Sequence, residues 1–206
     1  MEQKEIDTDT KVRGRPRAYD PDVALQRAMA AFWKTGYSGT SLDEIALATG
    51  MNRPSLRAAF GDKRDLYLRA LRAYWALKFA TLERTLAGGT LKEALLRTYE
   101  AALSVYFSGE DGARGCFVVG TAITETVDDP EIRDIVAAGF QTLDDNFVAR
   151  IRLARDAGEL AKGVDVEALA ILACGTMQTI ALRARAGVPR ETLWRLAQKA
   201  VAVICG

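Results

Sequence analysis

The chain has no histidine, which removes Ser-His-Asp and Cys-His mechanisms, histidine general bases and every His-containing zinc or haem site. Its chemistry is carried instead by arginine, asparagine and serine in close order. In the run Asn52, Arg53, Pro54, Ser55, Leu56, Arg57, each guanidinium can donate bidentately to O6 and N7 of a guanine. Asn and Ser can meet bases or phosphates, and small apolar groups can touch a thymine methyl. Solvated surface arginines are the alternative reading of so short a string. A second basic run, KVRGRPR, places Lys11, Arg13, Arg15 and Arg17 within seven residues, with Gly14 and Pro16 barring a regular helix. That is the pattern of a flexible arm that binds phosphate or enters a minor groove, or of a plain charged tail.

Three cysteines, Cys116, Cys174 and Cys205, are an odd number without C-x-x-C spacing, so neither a disulfide scaffold nor a zinc site is expected. Cys116 lies in RGCFVVG beside Arg114, at an expected helix start where dipole and cation would both favour the thiolate. It is a candidate redox or electrophile sensor, with a small buried hydrophobe as the alternative. A thiol enzyme would need a Lys or a carboxylate such as Glu125 as its base, and nothing else supports catalysis. No metal or cofactor is expected, and the chain is not expected to be an enzyme.

These residues are positioned by 206 residues that are 49% apolar and 27% charged, ordinary for a globular protein. The net charge of +1 hides an uneven distribution. Residues 11–70 carry 11 Lys and Arg against six acids, whereas residues 71–206 carry 16 against 17, so the basic excess belongs to one N-terminal unit. The first twenty residues have no apolar run and do not read as a secretory signal. The longest charge-free window, Ala168 to Leu182, is 15 residues, short of the roughly 20 a membrane span needs. No membrane helix is expected, and the place expected for the chain is the cytoplasm.

Asp20 and Pro21 begin a helix over about 21–35, a side-chain acceptor followed by a proline whose missing N–H costs nothing in the first turn. Gly36 ends it. In TSLDEIALATG, Thr40 precedes Asp43 and Ser41 precedes Glu44 by three residues, two overlapping capping-box registers that open a helix over about 41–48. Gly50 supplies the turn, and Asn52 caps a third helix whose Leu56, Ala59 and Phe60 face inward. Two short helices across a tight glycine turn, braced by a longer one, make a helix-turn-helix unit.

From Ala24 to Leu71, the G-Y, T-S-x-x-x-I-A, G-M-N-R-P-S-L, F-G-D-K and D-L landmarks resemble the DNA-binding domain of the tetracycline-repressor family of bacterial transcription regulators. The resemblance implies a dimeric, sequence-specific regulator, a repressor released by a small ligand, with a palindromic double-stranded operator as partner and the nucleoid as its place when bound. A DNA-binding regulator without an effector, or a thiol sensor using Cys116, is the alternative. It also implies that Tyr37 and Thr40 or Ser41 contact phosphates, that Asn52 to Arg57 read bases, and that Lys63 anchors the backbone. Family members commonly carry a Tyr after the recognition-helix leucine where this chain has Arg57, so the tyrosine's contact passes to Arg57 or Arg57 reads a base.

The rest reads as helices over about 63–86, 90–107, 115–127, 130–157, 165–186 and 190–204, with no two-residue alternation. The expected fold is therefore all-α: an arm (1–18), a three-helix helix-turn-helix domain (19–66) and a larger helical domain (67–206), about nine helices in total. The family implies that this larger domain binds an effector and dimerises through roughly residues 166–204, with Ala173, Gly175, Thr176 and Ala181 as small residues at the seam. Trp75, Phe79, Tyr99, Tyr106, Phe107, Phe117, Phe140, Phe147 and Met177 are candidates to line an effector pocket, each with core packing as its alternative. Tyr99, Thr121, Thr124, Gln141 and Gln178 are the expected inward polar groups, which suits a mostly apolar or aromatic ligand.

Overall fold

The computed structural model describes residues 19–109 and 112–206. Among them the regular elements are helical, as expected: α1 (Pro21–Gly39), α2 (Leu42–Thr49), α3 (Arg53–Phe60), α4 (Lys63–Leu86), α5 (Leu91–Tyr106), α6 (Pro130–Asp156), α7 (Val166–Arg185) and α8 (Arg190–Cys205). Most starts are fixed by local caps. Asp20 Oδ1 accepts from the amides of Asp22 and Val23 at 2.9 and 3.3 Å, and Ser41, Asp62 and Thr90 form reciprocal capping boxes with Glu44, Asp65 and Glu93. Asp129 caps α6 ahead of Pro130. Gly36 turns the chain sharply (φ 81, ψ 172) inside the last stretch of α1, a conformation that favours glycine.

The helix expected over 115–127 takes a different form. Val118–Ala122 is a π turn and Thr124–Thr126 a 3-10 turn. The reason is tertiary: Phe117 wedges among Trp33, Tyr67 and Tyr74 at centroid distances of 5.5, 5.8 and 5.5 Å. Thr121, which donates to the Phe117 carbonyl, also meets the Tyr67 hydroxyl at 2.8 Å. A widened turn lets these side chains point into one core.

That core joins the two parts of the chain. Trp33 Nε1 donates to the Arg114 carbonyl (3.1 Å), and the Arg114 guanidinium lies 3.8 Å from the Trp33 ring centroid. Arg185 of α7 donates to the Trp33 and Arg114 carbonyls, both at 3.1 Å. Gly115 (φ 64) permits this approach, since a Cβ there would lie 2.6 Å from the Ala181 carbonyl oxygen. A second strap is ionic: Arg64, at the start of α4, donates to Asp129 at 2.6 and 2.9 Å and to Glu131 at 2.9 Å, and Arg72 reaches Glu131 at 2.8 Å. The Arg64 hydrogen bonds hold the Asp129 carboxyl down at about 2.

Beyond this junction α5 packs against α4, α7 and α8, and α6 against α7. By length and apolar composition α7 is of a size to cross a bilayer, against the expectation from its charge-free window. It packs instead against α5, α6 and α8, burying eight residues including Ala173, Met177 and Ile180.

Candidate nucleic-acid interface

Helices α2 and α3 are held by hydrogen bonds local in sequence. Ser41 Oγ accepts from the Glu44 amide (3.2 Å) while Glu44 accepts from the Ser41 amide (2.6 Å), and these bonds hold the Glu44 carboxyl below its ordinary value. Gly50 adopts φ 70, the left-handed conformation that closes α2. Asn52 Oδ1 then accepts from the Ser55 amide (2.8 Å), and Pro54 sits in the first turn of α3. Leu56 and Phe60 anchor the helix to the core. Its opposite side leaves Asn52, Arg53, Pro54, Arg57 and Ala58 exposed, with Ser55 half-buried.

The two arginines differ. Arg53 makes a bidentate pair with Asp43 of α2, Nε to Oδ1 at 2.7 Å and Nη2 to Oδ2 at 2.5 Å, which lowers the Asp43 carboxyl and raises the guanidinium. Arg57 has no ion-pair partner among the described residues and projects freely. Sequence reasoning placed Asp43 in a capping register and missed its pair with Arg53, which spans ten residues across a turn and carries no i,i+4 spacing that would signal it.

Of the expected phosphate contacts, Ser41 is exposed at the start of α2. Tyr37 is half-buried, its ring 4.8 Å from that of Tyr67 and covered by Lys63 Nζ at 4.5 Å. Burial, then the Asp62 charge, pushes its hydroxyl up, so it keeps its proton. Tyr37 and Lys63 therefore form one unit beside the interface. Thr40 is a correction: it is 2% exposed, and its hydroxyl donates to the Gly36 carbonyl at 2.6 Å. It ties off α1 and leaves Ser41 as the exposed hydroxyl. Lys11, Arg13, Arg15 and Arg17 lie outside the described residues.

The expected pocket residues do not gather around one space. A cavity of about 50 Å³ lies between α4, α5 and α7, and of the candidates Tyr106 and Met177 line it. Trp75 stacks on Phe79 at 5.1 Å and meets Phe140 edge to face at 5.7 Å. A Cβ at Gly139 would collide with the Trp75 ring. Phe117 and Phe147 are fully buried, and Phe107 is packed against the core. Tyr99 is buried with its hydroxyl donating to the Ala173 carbonyl at 3.0 Å. Thr124 and Gln141 are exposed rather than inward. For Trp75, Phe79, Tyr99, Phe107, Phe117, Phe140 and Phe147 these are corrections with one cause: helical spacing turns an aromatic inward without saying whether it meets a cavity or another ring.

Cys116 is 4% exposed and accepts a hydrogen bond from Tyr74 at 3.3 Å. The cation expected beside it is turned onto Trp33, so the electropositive, accessible setting of a reactive thiol is missing. On α7 and α8, Ile171, Leu172, Leu182 and Val203 are 67%, 50%, 57% and 72% exposed. Ala173 and Ala181, expected at this seam, are buried within their own chain; Gly175 and Thr176 are partly exposed.

Residues 24–70 match the family described as bacterial regulatory proteins, tetR family, and residues 92–199 match the tetracyclin repressor-like C-terminal domain. The chain is 32% identical over 189 residues to the HTH-type transcriptional repressor ComR of Escherichia coli, covering 91% of this chain and 90% of that protein. It is 34% identical over 159 residues to the HTH-type transcriptional regulator YezE of Bacillus subtilis, covering 76% and 81%. Among solved structures it is similar to a cysteine mutant of the TetR family transcriptional regulator CifR complexed with 26bp double-strand operator DNA. That match has a TM-score of 0.82 at 33% identity, over 91% of this chain and 98% of the other.

Proposed function

We propose a mechanism from this premise: the chain belongs to the tetR family of bacterial regulatory proteins and is a DNA-binding transcriptional regulator, not an enzyme. It works as a homodimeric repressor on a two-fold symmetric duplex, with residues 19–66 as the DNA-binding domain and 67–206 as the effector and dimerisation domain. Asn52, Arg53, Pro54, Ser55 and Arg57 read base edges. Tyr37, Ser41, Lys63 and the arm residues Lys11, Arg13, Arg15 and Arg17 hold phosphates and set the register.

The observation that carries this reading is α3, a capped helix that buries Leu56 and Phe60 and turns Arg57, without an ion-pair partner among the described residues, to solvent beside Arg53. The strip of Ile171, Leu172, Leu182 and Val203 supports the dimer, since two recognition helices about 34 Å apart match successive turns of one duplex face. The similarity to the repressor ComR supports the repressor reading, and the CifR complex supports a duplex operator. A repressor of this kind works in the cytoplasm.

Helix α4 links the two parts, with Arg64 and Arg72 strapped to the start of α6 and its later turns lining the cavity. An effector held there favours a conformer that sets the recognition helices at the wrong separation. By linkage, operator DNA weakens effector binding by the same factor.

The test is an anisotropy titration of the purified protein on duplex DNA from beside its own gene, repeated over a range of salt. Saturable binding of a dimer that falls steeply with salt and exceeds binding to a scrambled duplex is expected. Weak binding indifferent to sequence, both there and after selection from a random library, would contradict the reading.

A further inference from the structure

We propose that the cavity between α4, α5 and α7 takes the tail of a short-chain aliphatic carboxylate, whose head group pairs with Lys78. This rests on the reading of the helical bundle as an effector domain and names the chemistry it selects.

Lys78 projects from α4 at the cavity wall and is half-buried. Among the described residues its ammonium has one polar contact, the Met177 thioether at 3.5 Å, and no carboxylate oxygen within ion-pair distance. Thioether sulfur is a weak acceptor and does not replace the water an ammonium loses on burial. The acid in this neighbourhood, Asp144, lies against the Cys174 thiol, which burial first and then Asp144 push up to about 12. Among the described residues Lys78 is thus a cation without an ion-pair partner, at the wall of a mostly apolar space.

Two of the other polar groups around the cavity are engaged elsewhere, while Thr81 also lines it. Thr98 and Thr85 meet each other at 2.9 Å, and their hydroxyls also bond the Ala94 and Leu82 carbonyls at 2.8 and 3.2 Å. Tyr106 and Met177 also line it. The cavity's 50 Å³ is about a third of the roughly 150 Å³ that accommodates benzene in an apolar core. An alkyl tail can lie along Leu77, Leu82, Ala101, Ala102 and Val105, and a carboxylate completes the charge-assisted bond that Lys78 lacks.

Calorimetric titration of the full chain with sodium hexanoate and, separately, with 1-hexanol tests the proposal. Hexanoate binding at least tenfold tighter than hexanol is expected in the wild type. Lys78→Met should abolish that preference while leaving hexanol within about threefold, and Lys78→Arg should retain it. Equal affinity for acid and alcohol, no hexanoate binding at millimolar concentration, or an unchanged preference in a folded Lys78→Met protein would each overturn it. The wild-type comparison needs no variant to fold. Hexanoate that binds through Lys78 yet leaves DNA affinity unchanged would sustain this site and defeat the effector reading. Release of DNA by another ligand class, with hexanoate inert, would do the reverse.

Discussion

Helices α2 and α3 differ from α7 and α8 in what they show to solvent. The first pair is short, capped by its own side chains and exposes charged groups beside Leu42 and Leu47; the second is long and exposes four large aliphatic groups among charged ones such as Arg183, Arg195 and Lys199. Arg53 and Arg57 stand outward on α3, whereas Ile171, Leu172, Leu182 and Val203 stand outward on α7 and α8. The inner sides are alike, because any core takes Leu, Ile and Phe. The outer sides carry the information about partners: guanidinium groups suit a phosphate-lined groove, and aliphatic groups suit a second copy of the same surface.

The contrast breaks most completely where the two parts meet. Phe117 is fully buried against Trp33, Tyr67 and Tyr74, so Phe117→Ala is expected to cost about 3–5 kcal/mol. Urea unfolding should show the loss in both parts at once, as a single shifted transition. Two transitions would mean that the halves are independent. Next in size is the outer apolar strip. Leu182→Glu with Val203→Glu should give a monomer by light scattering and weaken DNA binding by at least about 100-fold, or ~2.7 kcal/mol, with the helical content unchanged. A variant that remains dimeric would place the seam elsewhere.

Smaller effects sharpen the local side of the comparison. Ser41→Ala removes one arm of the α2 capping box and is expected to lower stability by about 1 kcal/mol, read as a shift in urea midpoint at constant slope. The smallest effect is in acid. Arg64 holds the Asp129 carboxyl at about 2, below the ~3.9 of an unfolded aspartate. The folded value is depressed, so this contribution is complete above about pH 4 and is lost as pH falls through 2. Asp129→Asn should flatten the fall in stability between pH 4 and 2 relative to wild type, and two parallel curves would show that the Arg64 strap adds nothing.

What could be read from the sequence follows the same division. Asp20 with Pro21, Ser41 with Glu44, Asn52, and Asp62 with Asp65 act within four residues, so helix starts and the outward arginines were legible. The 115–127 segment was not, because Phe117 and Thr121 are placed by Tyr67 and Tyr74 more than forty residues away. The Arg53–Asp43 pair, the inward turn of Thr40 and the poverty of the aromatic pocket likewise depend on which neighbour a side chain meets. Periodicity reports that Tyr99 and Phe147 are buried, and it gives the same report for a cavity wall as for a packed core.

The most direct test of the account is the role of Arg57, the outward guanidinium of α3. A selected operator and a scrambled duplex would be titrated with wild type and Arg57→Ala at several salt concentrations. The account predicts that the variant loses about 1–3 kcal/mol of its preference for operator over scrambled DNA, with the salt slope unchanged. An unchanged preference, with affinity for both duplexes falling together and the salt slope reduced by about one, would make Arg57 a phosphate contact and contradict base reading by this residue.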